Sequence, residues 1–149
     1  MNIAGAAPKI AIPTFIYLII TIFIDYQTKP LFQITESSYS TLIIIGILLM
    51  LMGIALVVTV ARKLLKSFKT NILMTDGVYK IFRNPMYAAY LIFIIPGICL
   101  LFNSWLALTT LILNYIFLQI FIKEEYRYLE ETFGEEYESY LKKVWIKFL

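Results

Sequence analysis

Residues 41–61 read TLIIIGILLMLMGIALVVTVA, a stretch without one charged side chain and relieved only by two threonines and the glycines Gly46 and Gly53. A helix needs about 20 consecutive apolar residues to cross the hydrocarbon core of a bilayer, and this segment supplies them. Three further apolar runs occupy residues 10–24, 86–102 and 105–122. The first is short for a span and calls on its flanks or on local thinning of the bilayer; the last two are marginal. Of the 149 residues, 60% are hydrophobic and 15% charged, where soluble domains carry about 45–50% and about 25%. The expectation is an all-α integral membrane protein forming a single domain over residues 1–149, with about four transmembrane helices.

Working outward, only Asn103-Ser104 separates the last two runs, which makes them a tight C-terminal helical hairpin. Pro96-Gly97 lies inside the third run; proline removes a backbone donor there and should kink the helix. After Ile122 the chain turns polar. A helical continuation should stop near Gly134, and Tyr137, Tyr140, Leu141 and Val144 then recur at helical spacing. The tail, residues 123–149, therefore reads as amphipathic, lying on the membrane or folding back as a lid.

Charge sets the orientation. Residues 62–85 carry Arg62, Lys63, Lys66, Lys69, Lys80 and Arg83 against Asp76 alone, whereas residues 25–40 carry only Asp25, Lys29 and Glu36. The positive-inside rule puts 62–85 in the cytoplasm and, with four spans, both termini as well. Lys9 before the first run agrees, and no small-residue cleavage pattern follows that run, so it reads as a retained anchor. The formal charge of +3 is modest and gathers into no separate basic patch, which argues against a nucleic-acid partner.

The chain has no histidine and a single cysteine, Cys99, inside an apolar run. An imidazole base, a Ser-His or Cys-His nucleophile and an intrachain disulfide are thereby excluded, and no Cys/Asp/Glu cluster suggests a metal site. What remains is concentrated in residues 77–87, GVYKIFRNPMY, a polar, basic, turn-forming segment feeding a membrane helix. Asn84 is a preferred N-cap and Pro85 a preferred first helical residue. The helix start, with Arg83 beside it, forms an anion site at the membrane face, flanked by Tyr79 and Tyr87. Each residue alone fits an interfacial anchor or a plain helix start better; their combination points to a partly anionic, water-soluble cofactor. Glu124 and Glu125 reach the same face from the end of the fourth run. Neighbouring helix positions diverge by about 100°, so one of the two faces a given pocket; a surface pair of Glu124 with Arg127 is the alternative.

Thr75-Asp76-Gly77-Val78-Tyr79, Arg83-Asn84-Pro85-Met86-Tyr87, Asn103-Ser104-Trp105-Leu106-Ala107-Leu108, Glu124-Glu125 with Leu129, and Phe133-Gly134-Glu135-Glu136-Tyr137 with Tyr140 occur in one order. The set resembles the integral-membrane methyltransferases that include isoprenylcysteine carboxyl methyltransferase and the phospholipid methyltransferases, over residues 71 to 144. The resemblance implies an enzyme that binds S-adenosylmethionine on the cytoplasmic side and methylates a lipophilic acceptor. It implies a cofactor site of Tyr79, Arg83, Asn84, Pro85, Tyr87, Glu124, Glu125 and Tyr137, with Arg83 and Glu125 closest to the chemistry. Asn84 stands where many members have histidine, and Trp145 where many have proline.

Three other functions compete. A small transporter subunit would normally carry an ionisable residue within a span, and the four runs contain no Asp, Glu, Lys or Arg. A non-enzymatic scaffold needs no such residue. A sterol-reductase-like enzyme using NADPH would be longer, and no dinucleotide-type glycine loop is present. Gly46 and Gly53 lie close to two helical turns apart and share a face, which suits either a homodimer contact or packing within one chain.

Overall fold

The computed structural model describes residues 6–70 and 72–147, with the side chains of 66–70 excepted. Four helical elements follow one another: α1 (Ala7–Thr28), α2 (Tyr39–Thr70), α3 (Pro85–Leu101) and α4 (Trp105–Lys143), with a 3-10 turn at Gly77–Lys80 between α2 and α3. No strand forms among the described residues; Gln33 with Ser104 and Phe82 with Ile146 make isolated bridges. Three helices, α1, α2 and α4, are long and apolar enough to cross a membrane, and α3 is a shorter apolar helix. Aliphatic side chains such as Ile19, Leu48, Leu51 and Ile112 are largely exposed, as a lipid-facing surface requires.

Several boundaries differ from the sequence reading. α1 is longer than residues 10–24 at both ends, because Pro8 is tolerated in its first turn and the last turn takes in Asp25, which is buried rather than in a loop. α2 continues well past Ala61 to Thr70, so part of the expected 62–85 loop is helical; Leu64 and Leu65 extend the apolar pattern. α4 does break at Gly134 (φ 43°, ψ −118°), the left-handed region that favours glycine, and the amphipathic turns beyond it fold back.

The bend expected at Pro96 is taken up earlier. Residues Ala89–Ile94 form a π-helical turn, with the Ile95 N–H donating to the Tyr90 carbonyl. Proline lacks the N–H that a regular helix would use and crowds the carbonyl four residues before it; the widened turn absorbs both.

α2 and α3 approach closely through glycine. A Cβ on Gly46 would stand 3.0 Å from the Gly97 carbonyl oxygen, and one on Gly53 would stand 2.7 Å from Ile94 Cγ1. Both glycines thus serve contacts inside the chain. At the far end Asn103 (φ 54°) turns the chain. Its Oδ1 accepts from the Ile34 and Thr35 amides and its Nδ2 donates to Thr35 O, while Ser104 Oγ caps α4 by accepting from Ala107 N–H. The hairpin read at 103–104 is present.

Gly53→Leu should overpack the α2–α3 seam and cost about 1–3 kcal/mol, read as a lower unfolding midpoint in detergent. Leu48→Ile on the lipid-facing side should leave the midpoint in place. An unaltered midpoint for Gly53→Leu would contradict the close approach.

Candidate functional site

The segment between α2 and α3 is polar and irregular, so its backbone groups need partners from elsewhere. The tail supplies them. Trp145 N–H donates to Lys80 O at 3.2 Å, Ile146 N–H to Ile81 O at 2.8 Å, and Arg83 N–H to Ile146 O at 3.0 Å. Tyr140 Oη donates to Tyr79 O at 2.8 Å. Beneath this clamp Val60, Leu73, Tyr79, Tyr137, Tyr140 and Val144 bury one another. The entry to the segment is pinned from α2, where Lys63 Nζ lies 2.8 Å from Asp76 Oδ2. That contact holds the Asp76 carboxyl below the usual carboxylate range. Burial pushes the Tyr79 phenol well above its ordinary range, so it stays protonated.

Above the clamp is a cavity of about 270 Å³ lined by Tyr79, Arg83, Asn84, Pro85, Tyr87, Glu125, Tyr137 and, among others, Met74, Met86, Leu129 and Phe133. Of the residues singled out in the sequence, Glu124 alone lies off it. Glu124 is exposed and pairs with Lys9 Nζ at 2.8 Å; the helical angle that turns Glu125 inward turns Glu124 toward α1. The Glu124–Arg127 surface pair is likewise replaced by the Lys9 contact.

Arg83 is half-buried and held as a rigid donor. Its Nε and Nη2 donate to Tyr137 Oη at 3.0 and 2.5 Å, and its guanidinium lies 3.3 Å from the centroid of the Tyr126 ring. Among the described residues no carboxylate lies within ion-pair distance of it, the ion pairs there being Lys9–Glu124 and Lys63–Asp76. Across the cavity, half-buried Glu125 accepts from Tyr87 Oη at 3.3 Å and, among the described residues, pairs with no cation. One cavity therefore presents a positive and a negative group that do not neutralise each other. Such a pair is costly to bury without a complementary ligand and suits a zwitterionic one.

Asn84 and Pro85 start α3 as read, with one change. The Asn84 side chain does not cap the helix; its Nδ2 donates to Tyr126 Oη. Tyr126 thus supports both Arg83 and Asn84, and the sequence reading passed over it. Its signal was its position beside Glu125, on the polar turn of α4 that meets the start of α3.

Residues 41–136 match the family model described as phospholipid methyltransferase. The chain belongs to that family. Among curated proteins it is 35% identical over 82 residues to the protein-S-isoprenylcysteine O-methyltransferase of Schizosaccharomyces pombe (53% of this chain, 34% of that protein). It is 33% identical over 72 residues to protein-S-isoprenylcysteine O-methyltransferase B of Arabidopsis thaliana (48% of this chain, 36% of that protein). The alignments thus span only about a third of these relatives' length. No solved structure matches. Tyr79, Arg83, Asn84, Pro85, Tyr87 and Glu125 fall inside the family match; Tyr137, Tyr140 and Ile146, which hold the Arg83 segment in place, lie just beyond it.

Tyr140→Phe removes the donor to the Tyr79 carbonyl. The loss should be about 0.5–1.5 kcal/mol, seen as faster amide hydrogen exchange at Arg83, Trp145 and Ile146 with little change in α2. Unchanged exchange at those three amides would contradict the clamp.

Proposed function

We propose that the protein transfers the methyl group of S-adenosylmethionine to a lipophilic acceptor at the cytoplasmic face of the membrane. The observation that carries this reading is that Arg83 and Glu125 line one cavity and neither has an ion-pair partner among the described residues. Family membership and the methyltransferase names of the relatives support it. The residues fit the cofactor. Arg83 suits its carboxylate by charge and donor fork. Glu125 suits its ammonium or ribose hydroxyls, and Tyr79, Tyr87 and Tyr137 offer aromatic faces for the adenine. Pro85 and Asn84 set the position of Arg83. With α3 taken as a fourth, short span, the positive-inside rule supports a cytoplasmic position for residues 62–85, both termini and the site.

When bound, S-adenosylmethionine supplies a methyl group already activated on a sulfonium. The chain's own task is then to align and to exclude water, and good alignment is worth about 7–11 kcal/mol of barrier without a histidine or a metal. Arg83 and Glu125 fix the two ends of the polar moiety, so the reacting group is oriented rather than merely bound. The apolar walls, Leu129, Phe133 and Met86 among them, keep water away. A carboxylate acceptor, as in the relatives named for isoprenylcysteine, needs no base. An amine acceptor, as in phospholipid methylation, must lose a proton, and Glu125 is the carboxylate within the cavity that would accept it.

Isothermal titration of S-adenosylmethionine into the detergent-purified protein should give stoichiometric binding. Arg83→Ala should weaken it by about ten- to a hundredfold, the loss of about 1.5–3 kcal/mol for hydrogen bonds to a charged group. Glu125→Gln should weaken it as well, and Glu124→Gln should leave it unchanged. Binding unaltered in folded Arg83→Ala protein would overturn the assignment.

A further inference from the structure

The clamp that pairs the tail with residues 80–83 also walls a separate cleft of about 560 Å³, lined by Thr75, Lys80, Glu136, Ser139, Lys143 and Trp145. Tyr140 lines both this cleft and the cavity of Arg83 and Glu125, so the two share a wall. Among the described residues, neither lysine of the cleft has an ion-pair partner, and Glu136 has none. Glu135 and Glu138 lie beside Glu136, at the start of the returning helical turns, whereas Lys142 and Lys143 form their last turn and Lys147 follows. Positive charge therefore gathers at the end of the tail that pairs with residues 80–83, where the negative end of a helix favours it.

Trp145 is 84% exposed, although its backbone N–H is tied to Lys80 O at 3.2 Å. An indole fixed at its backbone and bare on its ring suits a membrane–water interface, where the apolar body is covered and the N–H stays wet. That interface is near. Lys80 stands five residues before Pro85, the first residue of apolar α3, a separation of at most about 18 Å. Lys80 and Lys143 belong to opposite partners of the clamp, one to the connecting segment and one to the tail. Like charges on the two sides of a pairing oppose it, and an anion shared between them reverses the effect. A phosphodiester fits: its oxygens accept from both ammonium groups and from the Ser139 and Thr75 hydroxyls. Two lysines less one glutamate leave the lining one positive charge, the complement of one phosphodiester.

We propose that this cleft binds the phosphate headgroup of an anionic membrane lipid, with Trp145 seated in the same interface, and that the bound lipid holds the clamp closed and so tightens binding at Arg83. At a membrane surface the phosphate within reach is the lipid's, and lysines beside an anionic leaflet are drawn to it. The effect on Arg83 rests on the methyl-transfer reading above, in which that residue receives the cofactor's carboxylate. Its physical link is the backbone: Arg83 N–H donates to Ile146 O, and Ile146 N–H donates to Ile81 O. A headgroup that bridges Lys80 and Lys143 binds the paired tail and not the released one, so it stabilises the pairing. The coupling is reciprocal, and cofactor held by Arg83 tightens the lipid in turn.

The test places the full chain in nanodiscs of phosphatidylcholine, with or without phosphatidylglycerol. In Trp105→Phe protein the one tryptophan left is Trp145. Brominated phosphatidylglycerol should quench its emission more strongly than brominated phosphatidylcholine at equal bromine content, and the double substitution Lys80→Gln with Lys143→Gln should remove the difference. S-adenosylmethionine titrated into the same discs should bind about fivefold or more tighter with phosphatidylglycerol present. The double substitution should abolish that gain and leave the affinity in phosphatidylcholine unchanged. Equal quenching by the two lipids, or a difference that survives the double substitution, would overturn the headgroup site. No gain in cofactor affinity would overturn the coupling, as would a gain that survives the substitution, which is bulk attraction of the cofactor's positive charge to the membrane. Inorganic phosphate reproducing the gain in phosphatidylcholine discs would overturn the lipid as its source. Lysine-dependent quenching without S-adenosylmethionine binding in either disc would overturn the methyl-transfer reading while the headgroup site stood.

Discussion

The structure depends on how the backbone of residues 79–83 is satisfied. This segment connects two apolar helices at the membrane surface, where a polar irregular chain has neither ladder partners nor unrestricted water. The tail resolves the problem by returning as a short parallel pairing, Trp145 and Ile146 against Lys80, Ile81 and Arg83, with Tyr140 bonded to the Tyr79 carbonyl. The same return brings Tyr137 to the guanidinium of Arg83. Fold and site are thus one construction: without the tail the arginine would be a mobile surface cation, worth little to a ligand.

From that constraint the division of labour along the membrane normal follows. On one side of Met86 and Tyr87 the chain gathers charge and phenols; on the other it offers mostly apolar surface. These two residues belong to the first turn of α3, which Pro85 starts and the Asn84–Tyr126 contact steadies. The tight glycine seam with α2 fixes the same helix from the other side. On the α1 side of this helix lies a second, mostly apolar cavity of about 320 Å³, lined by Ala7, Ile10, Phe15, Tyr87, Tyr90 and Ile95 among others.

Much of this was legible in the sequence. The apolar runs marked the helices because a bilayer demands length and apolarity together. Arg83, Pro85 and Tyr87 fell on one cavity because they sit within a turn or two of one helix start. The choice between Glu124 and Glu125 was not legible, since the rotation of α4 is set by its packing on α1 and by the Lys9 contact. Tyr126 was hidden for a related reason: a ring under a guanidinium depends on how α3 and α4 cross. Asn84 illustrates competition, since a good capping residue found a better partner across the helix pair. The π turn escaped notice because a proline in a helix marks strain without saying which turn will absorb it.

The central claim is that Arg83 reads the carboxylate of a zwitterionic methyl donor. Its most direct test compares S-adenosylmethionine with its decarboxylated analogue by titration into wild-type and Arg83→Gln protein. The account predicts that the wild type prefers the intact molecule by about tenfold or more, and that the preference collapses in Arg83→Gln. Equal binding of both ligands by the wild type, or a preference that survives the substitution, would contradict it.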